Sequence, residues 1–111
     1  SLTTLDLSCC REIKDVTSIG NILSLNKLKL SGCYTVNDFT PISNLINLYE
    51  LDLSYCRIVN IMFLSVLTQL KNLNLENNTD LKFIRPVKKL VNLEIVNLNC
   101  LVKSVIPLLK C

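Results

Sequence analysis

The stretch Leu25-Asn26-Lys27-Leu28-Lys29-Leu30-Ser31-Gly32-Cys33 sets the reading of the whole chain. Its leucines follow L-x-x-L-x-L, and a cysteine stands three residues after the last of them. The same frame opens at Leu2, Leu48, Leu70 and Leu93, so that successive starts lie 23, 23, 22 and 23 residues apart. Fourteen of the fifteen framed positions are Leu, and the exception is Val96. A period this regular means that one small structural unit is stacked on itself, because each unit is too thin to bury its apolar side alone.

Within the unit, x-L-x-L has the period of a short strand with its leucines on one face. The slot after it holds Cys10, Cys33, Cys56 and Asn78, and Leu101 in the fifth repeat. These residues are expected to point inward where the chain leaves the strand and to act as a structural ladder. An Asn amide can donate to and accept from the buried turn backbone; a thiol offers a weak donor in a small apolar volume. The second half of each unit carries apolar anchors every third residue, as in Val36-Phe39-Ile42-Leu45 and Ile58-Ile61-Leu64-Leu67. That spacing predicts tight 3₁₀ winding rather than an α-helix, whose apolar stripe drifts between three and four. Pro41, Pro86 and Pro107 each precede the third anchor, where a missing N–H is harmless. In the fifth repeat Val102, Val105 and Leu108 come one residue early, which predicts a distorted turn.

The pattern predicts one domain over 1–111 with five repeats starting near 2, 25, 48, 70 and 93. Neither end has a polar cap: Leu2, Leu5 and Leu7 would face solvent at one end, Val105 and Leu108 at the other. A longer parent protein is therefore expected. Apolar residues make up 50% of the chain and aromatics only 5%, so the core is aliphatic. No apolar run approaches the roughly 18 residues that span a bilayer. Residues 1–55 carry four basic and six acidic side chains, residues 56–111 eight and three, giving net charges of −2 and +5. The six Cys follow the repeat instead of a disulfide framework, which points to buried thiols in a reducing, intracellular setting. With no His and no C-x-x-C pair a metal site is not expected, nor is any cofactor. No His also leaves a Ser or Cys nucleophile without its usual base, and with two Gly there is no phosphate loop, so catalysis is not expected.

The L-x-x-L-x-L-x-x-N/C pattern resembles the leucine-rich-repeat superfamily along the whole chain. That resemblance implies an α/β solenoid: a right-handed coil with a parallel β-sheet on its concave side and short 3₁₀ segments on its convex side. The 22–23-residue period and the three-spaced anchors resemble bacterial internalins and a regulatory subunit of protein phosphatase 1. The run Asn37-Asp38-Phe39-Thr40-Pro41-Ile42-Ser43-Asn44-Leu45 is similar to an internalin coil. Leu30-Ser31-Gly32-Cys33, and Cys10 followed by Ile13 and Asp15, resemble the longer cysteine-bearing repeats of F-box adaptors. Asp15-Val16-Thr17-Ser18-Ile19-Gly20-Asn21 before Leu25, with a Cys after the strand, is similar to repeats of kinetoplastid parasite proteins. All of these imply protein binding through the repeat surface.

Positions between the strand leucines would point outward and align across repeats: Thr4, Lys27, Glu50, Asn72 and Ile95 in one column, Asp6, Lys29, Asp52, Asn74 and Asn97 in the next. Of these, Asp6, Lys27, Lys29, Glu50, Asp52, Asn74 and Asn97, with Tyr49 and Tyr55 as aromatic anchors, form the candidate partner-binding face. Lys29 would sit between Asp6 and Asp52 at a strand spacing of about 4.8 Å, and Lys27 beside Glu50, so these charges can also satisfy one another. Lys82, Arg85, Lys88 and Lys89 form a basic cluster on the convex side. Without an alternating series of aromatics for base stacking it reads as a solvated face, and nucleic acid is disfavoured as a partner. Asn77-Asn78-Thr79 is a glycosylation triplet. The expectation is an intracellular interaction scaffold, an adaptor or regulatory subunit that binds another protein; the alternative is an extracellular adhesin or receptor of the internalin kind. Oligomeric state is not read from the sequence.

Overall fold

In the computed structural model, residues 1–98 are described. Five three-residue strands, β1 (Thr4–Asp6), β2 (Lys27–Lys29), β3 (Glu50–Asp52), β4 (Asn72–Asn74) and β5 (Ile95–Asn97), pair in chain order into one parallel sheet. Between them run 3₁₀ segments η1 (Ile19–Asn21), η2 (Thr40–Asn44), η3 (Met62–Val66) and η4 (Arg85–Lys89). The sheet does not close, and the molecule is a leucine-rich-repeat solenoid. Pro107 and the displaced anchors Val102, Val105 and Leu108, with Leu101 in the ladder slot, lie outside the described residues.

The leucines explain why the coils stack. Leu25, Leu28, Leu30, Leu48, Leu51, Leu53, Leu70, Leu73 and Leu75 are all buried, in register with one another from strand to strand. In the first coil Leu2 is exposed while Leu5 and Leu7 are half-buried. Fully burying a Leu stabilises by about 1.5–3 kcal/mol, so each coil depends on its neighbours for most of its stability.

The three-residue spacing of the anchors has a direct backbone cause. The N–H of each anchor donates to the carbonyl of the anchor before it: Ile42 to Phe39, Leu45 to Ile42 and Leu48 to Leu45, each at 3.0 Å. Ile61-Leu64-Leu67-Leu70 and Ile84-Val87-Leu90-Leu93 form the same chains at 2.9–3.2 Å. The anchors are thus both the buried side chains and the hydrogen-bonded backbone of the convex side, as i→i+3 winding requires. Pro41 and Pro86 sit in the first turn of η2 and η4. Asp15, Asp38 and Asn60 open the turn by accepting the N–H two residues on, from Thr17, Thr40 and Met62 at 2.8–2.9 Å. These bonds hold the carboxyls of Asp15 and Asp38 below the usual carboxylate range; for Asp15 the Thr17 hydroxyl is the larger cause, for Asp38 the Thr40 N–H. Gly20 is needed for packing: a Cβ there would lie 2.5 Å from the Pro41 carbonyl oxygen in the next coil.

At the exit of the strand, the ladder side chains cross from coil to coil. The Cys33 thiol donates to the carbonyl of Leu7 at 3.2 Å, and the Cys56 thiol to Leu30 at 3.0 Å. Asn78 Nδ2 donates to Leu53 and Leu75, both at 2.9 Å, while its Oδ1 accepts the N–H groups of Cys56 and Ile58 at 3.2 and 2.9 Å. Cys33, Cys56 and Asn78 are buried, and Cys10, in the first coil, is half-buried.

Asn78→Ala strands four buried backbone groups and should cost about 3 kcal/mol or more, well above the cost of Cys33→Ala, as read from urea unfolding. Burial pushes the Cys56 thiol up from 9.0 to about 11. Its protonated form therefore stabilises the fold in full below pH 9 and less and less as pH rises towards 11, because only unfolded chains ionise in that window. Reduced protein should have a lower urea midpoint at about pH 10 than at about pH 7, and Cys56→Ala should shrink that difference.

Candidate functional site

The strand pairing sets the outward columns. Thr4, Lys27, Glu50, Asn72 and Ile95 are mutual partners across the five strands, and so are Asp6, Lys29, Asp52, Asn74 and Asn97. Lys29, Tyr49, Tyr55 and Asn97 are exposed, whereas Lys27, Glu50, Asp52 and Asn74 are half-buried against their neighbours.

The charges are used differently from the simple alternation expected of them. Asp6, Asp52 and Asn74 turn their side-chain oxygens back to the N–H two residues on, those of Ser8, Ser54 and Glu76, at 2.9–3.0 Å. Asp52 also accepts the Ser54 hydroxyl at 2.6 Å. Ser8 is the main cause that keeps the Asp6 carboxyl below the usual range, with the charge of Lys29 a smaller one. These three side chains thus close the turn at the end of their own strand. Lys29 stands in the same column without that local duty and is exposed. Lys27 does not pair with Glu50; its ammonium lies over the Tyr49 ring, 5.7 Å from the centroid. Glu50 instead accepts a long hydrogen bond from Asn72 Nδ2 at 3.4 Å. A shallow depression results, bordered by Lys29, Glu50, Asn72, Ile95 and Asn97. Asn72 and Ile95 line it although neither stood out in the sequence; their place in the column of Lys27 and Glu50 was the available signal.

Tyr55 is held out by an unusual backbone. The residue following each strand exit has positive φ in four coils: Cys9 at 64°, Gly32 at 79°, Tyr55 at 56° and Asn77 at 60°. The N–H groups of Cys9, Gly32 and Tyr55 reach the next coil, at Ser31, Ser54 and Glu76, at 2.6–2.9 Å. The left-handed conformation and that bond occur together in all three coils. Glycine and asparagine suit it, and a Tyr there is strained. In the 22-residue third coil Arg57 is left-handed as well, at 58°, which closes the turn with one residue fewer.

Beside this edge Tyr34 stands between two guanidinium groups, Arg11 at 5.4 Å and Arg57 at 4.7 Å from its ring centroid. The three occupy the slot after the ladder Cys in successive coils, a regularity that was legible in the sequence and was not used. On the convex side Lys82, Arg85, Lys88 and Lys89 are exposed as expected, but Phe83 stands exposed among them, so this face is more than solvated charge. No group of three or more metal-ligating side chains occurs among the described residues, and none of their helices is long and apolar enough to cross a membrane.

Neither a protein-family model nor a curated protein sequence matches the chain. Among solved structures it is similar to two internalins of Listeria monocytogenes. The first, InlF, is 29% identical with a TM-score of 0.71 over 78% of this chain. The second, internalin C2, is 26% identical with a TM-score of 0.67 over 90% of this chain. The chain spans 25% of the former's length and 55% of the latter's.

A left-handed Tyr55 implies that Tyr55→Gly leaves stability unchanged or raises it by up to about 1 kcal/mol, while Gly32→Ala lowers it by about 1–2 kcal/mol. Urea midpoints of both variants check this. A loss at Tyr55→Gly would mean that the ring itself holds the fold.

Proposed function

We propose that the chain is a protein-interaction scaffold that does no chemistry of its own, binding its partner across the outward strand columns. One observation carries this reading. Five strands in unbroken register present Lys27, Lys29, Glu50, Asn97 and two exposed tyrosines on one open face, their backbones fixed by hydrogen bonds from coil to coil. A surface arranged before binding loses little entropy on association, and Tyr49 and Tyr55 are of the type that dominates interface energetics. Asp6, Asp52 and Asn74 contribute mainly by holding that surface, since their side-chain oxygens already serve the turn. Likeness to internalin coils supports an interaction role.

The setting is read from the thiols. Cys33 and Cys56 are free and buried, each donating to a carbonyl of the preceding coil, and this arrangement needs them reduced. It favours an intracellular adaptor or regulatory subunit of the 22–23-residue class. The internalin likeness favours the second reading, an extracellular adhesin or receptor. Thiol titration of the native protein separates them: unreactive free thiols that appear on denaturation fit the first, disulfides or a glycan at Asn77 the second.

The combined variant Tyr49→Ala, Tyr55→Ala, Lys29→Ala should lose its partner in affinity capture beside the unmodified protein. With the captured protein in hand, affinity should fall by at least about a hundredfold, the effect of truncating an interface hot spot. Unchanged capture would place the interface elsewhere on the molecule.

A further inference from the structure

The convex face changes character between coils, and the change is systematic. Three exposed positions that recur in each coil are Lys14, Thr17 and Asn21 in the first and Asn37, Thr40 and Asn44 in the second, an ordinary solvated set. In the third coil the same positions are Val59, Met62 and Val66, exposed by 61%, 63% and 54%. In the fourth they are Lys82, Arg85 and Lys89, all exposed, with Lys88 adjacent. Phe83, 74% exposed, replaces the turn-opening Asp15, Asp38 and Asn60 of the other coils. That exchange gives up the hydrogen bond that starts the turn and puts a bare ring between two cations.

None of these substitutions helps the fold. The structural bonds of this side run between the anchors Ile61, Leu64 and Leu67 and between Ile84, Val87 and Leu90, which are buried. An apolar row flanked by a cationic row, on two packed 3₁₀ segments, is complementary to a surface that is apolar beneath and anionic on top.

We infer that the convex face of coils three and four docks on an anionic phospholipid surface, Met62 and Phe83 entering the interface while Lys82, Arg85, Lys88 and Lys89 meet the headgroup phosphates. A lipid surface fits better than a peptide because Phe83 and Met62, 74% and 63% exposed, protrude beside the cations, Met62 from the rim of a depression it shares with Val59 and Phe63. A protein partner would have to supply the pocket for each of them, whereas a bilayer deforms around them. The charge lies on the same side: Lys82, Arg85, Lys88 and Lys89 are all exposed here, and residues 81–93 contain no acidic side chain. Attachment here leaves the strand columns on the opposite side of the coil open to a partner.

The test is sedimentation of the full chain with vesicles of phosphatidylcholine alone or with about one-third phosphatidylserine. Binding is expected only with the anionic lipid and should be reversed by high salt, since headgroup attraction is screened within a Debye length. Lys88→Glu with Lys89→Glu should weaken it by at least roughly 25-fold, about fivefold for each basic side chain. Met62→Ser with Phe83→Ser should release the protein from vesicles without altering the urea midpoint, because both side chains are exposed. Failure of the unmodified chain to bind anionic vesicles overturns the inference, as does binding that survives either pair of changes. Equal binding to a soluble acidic polypeptide that the Met62 and Phe83 changes leave intact would also overturn it and assign the face to an acidic protein segment.

Discussion

The structure depends on what happens to the carbonyl of the last leucine in each strand. At Leu7, Leu30 and Leu53 the chain leaves the sheet and turns towards the interior, so that carbonyl is buried with no strand partner. It is met by the ladder side chain of the next coil: Cys33, Cys56 and Asn78 in turn. The carbonyls of Leu7 and Leu30 also accept the N–H of Cys10 and Cys33 in their own turns, whereas that of Leu53 is met by Asn78, and leaving it unpaired would cost about 1–3 kcal/mol. Because the donor always comes from the following coil, the bond sets the spacing at which the leucines of adjacent coils pack.

Two chemistries meet that demand, and they are not equivalent. Cysteine supplies one weak donor and a small apolar volume; asparagine supplies strong donors and an acceptor that also holds the N–H groups of Cys56 and Ile58. The third coil, one residue short, is the one whose turn Asn78 clasps, and it also carries a second left-handed residue at Arg57. The shortened turn and the stronger clasp coincide, so the irregularity is compensated by the coil beside it.

Structural bonds and exposed surface are kept separate. On the convex side the anchors carry both the burial and the 3₁₀ hydrogen bonds, which leaves the positions between them free to be polar, apolar or cationic in successive coils. On the strand face the separation is incomplete. Asp6, Asp52 and Asn74 close turns, while Lys29 and Asn97, in the same column, are exposed. A column of aligned residues in the sequence is therefore not a column of equivalent binding groups.

Much of the fold was legible because its determinants are periodic: the leucine frame, the ladder slot and the three-residue anchors each recur at fixed steps. Alignment of the repeats also placed the outward columns in their correct register, since parallel coils of equal length pair equivalent residues. Periodicity is blind to which neighbour a long side chain chooses. Lys27 lies beside Glu50 as expected, but its ammonium sits over Tyr49 and does not pair with that carboxylate, because both are within its reach and only packing selects between them. The left-handed backbone at Cys9 and Tyr55 was likewise hidden, since neither residue type signals it, although Gly32 and Asn77 in the same slot did. The sequence by itself determined the solenoid, the stacking of its coils in chain order and the facing of each position, because these follow from hydrophobic period and backbone geometry. Tertiary structure alone decided which neighbour each long side chain meets, Lys27 over Tyr49 and Glu50 with Asn72, because that choice rests on ångström distances between side chains 22 residues apart.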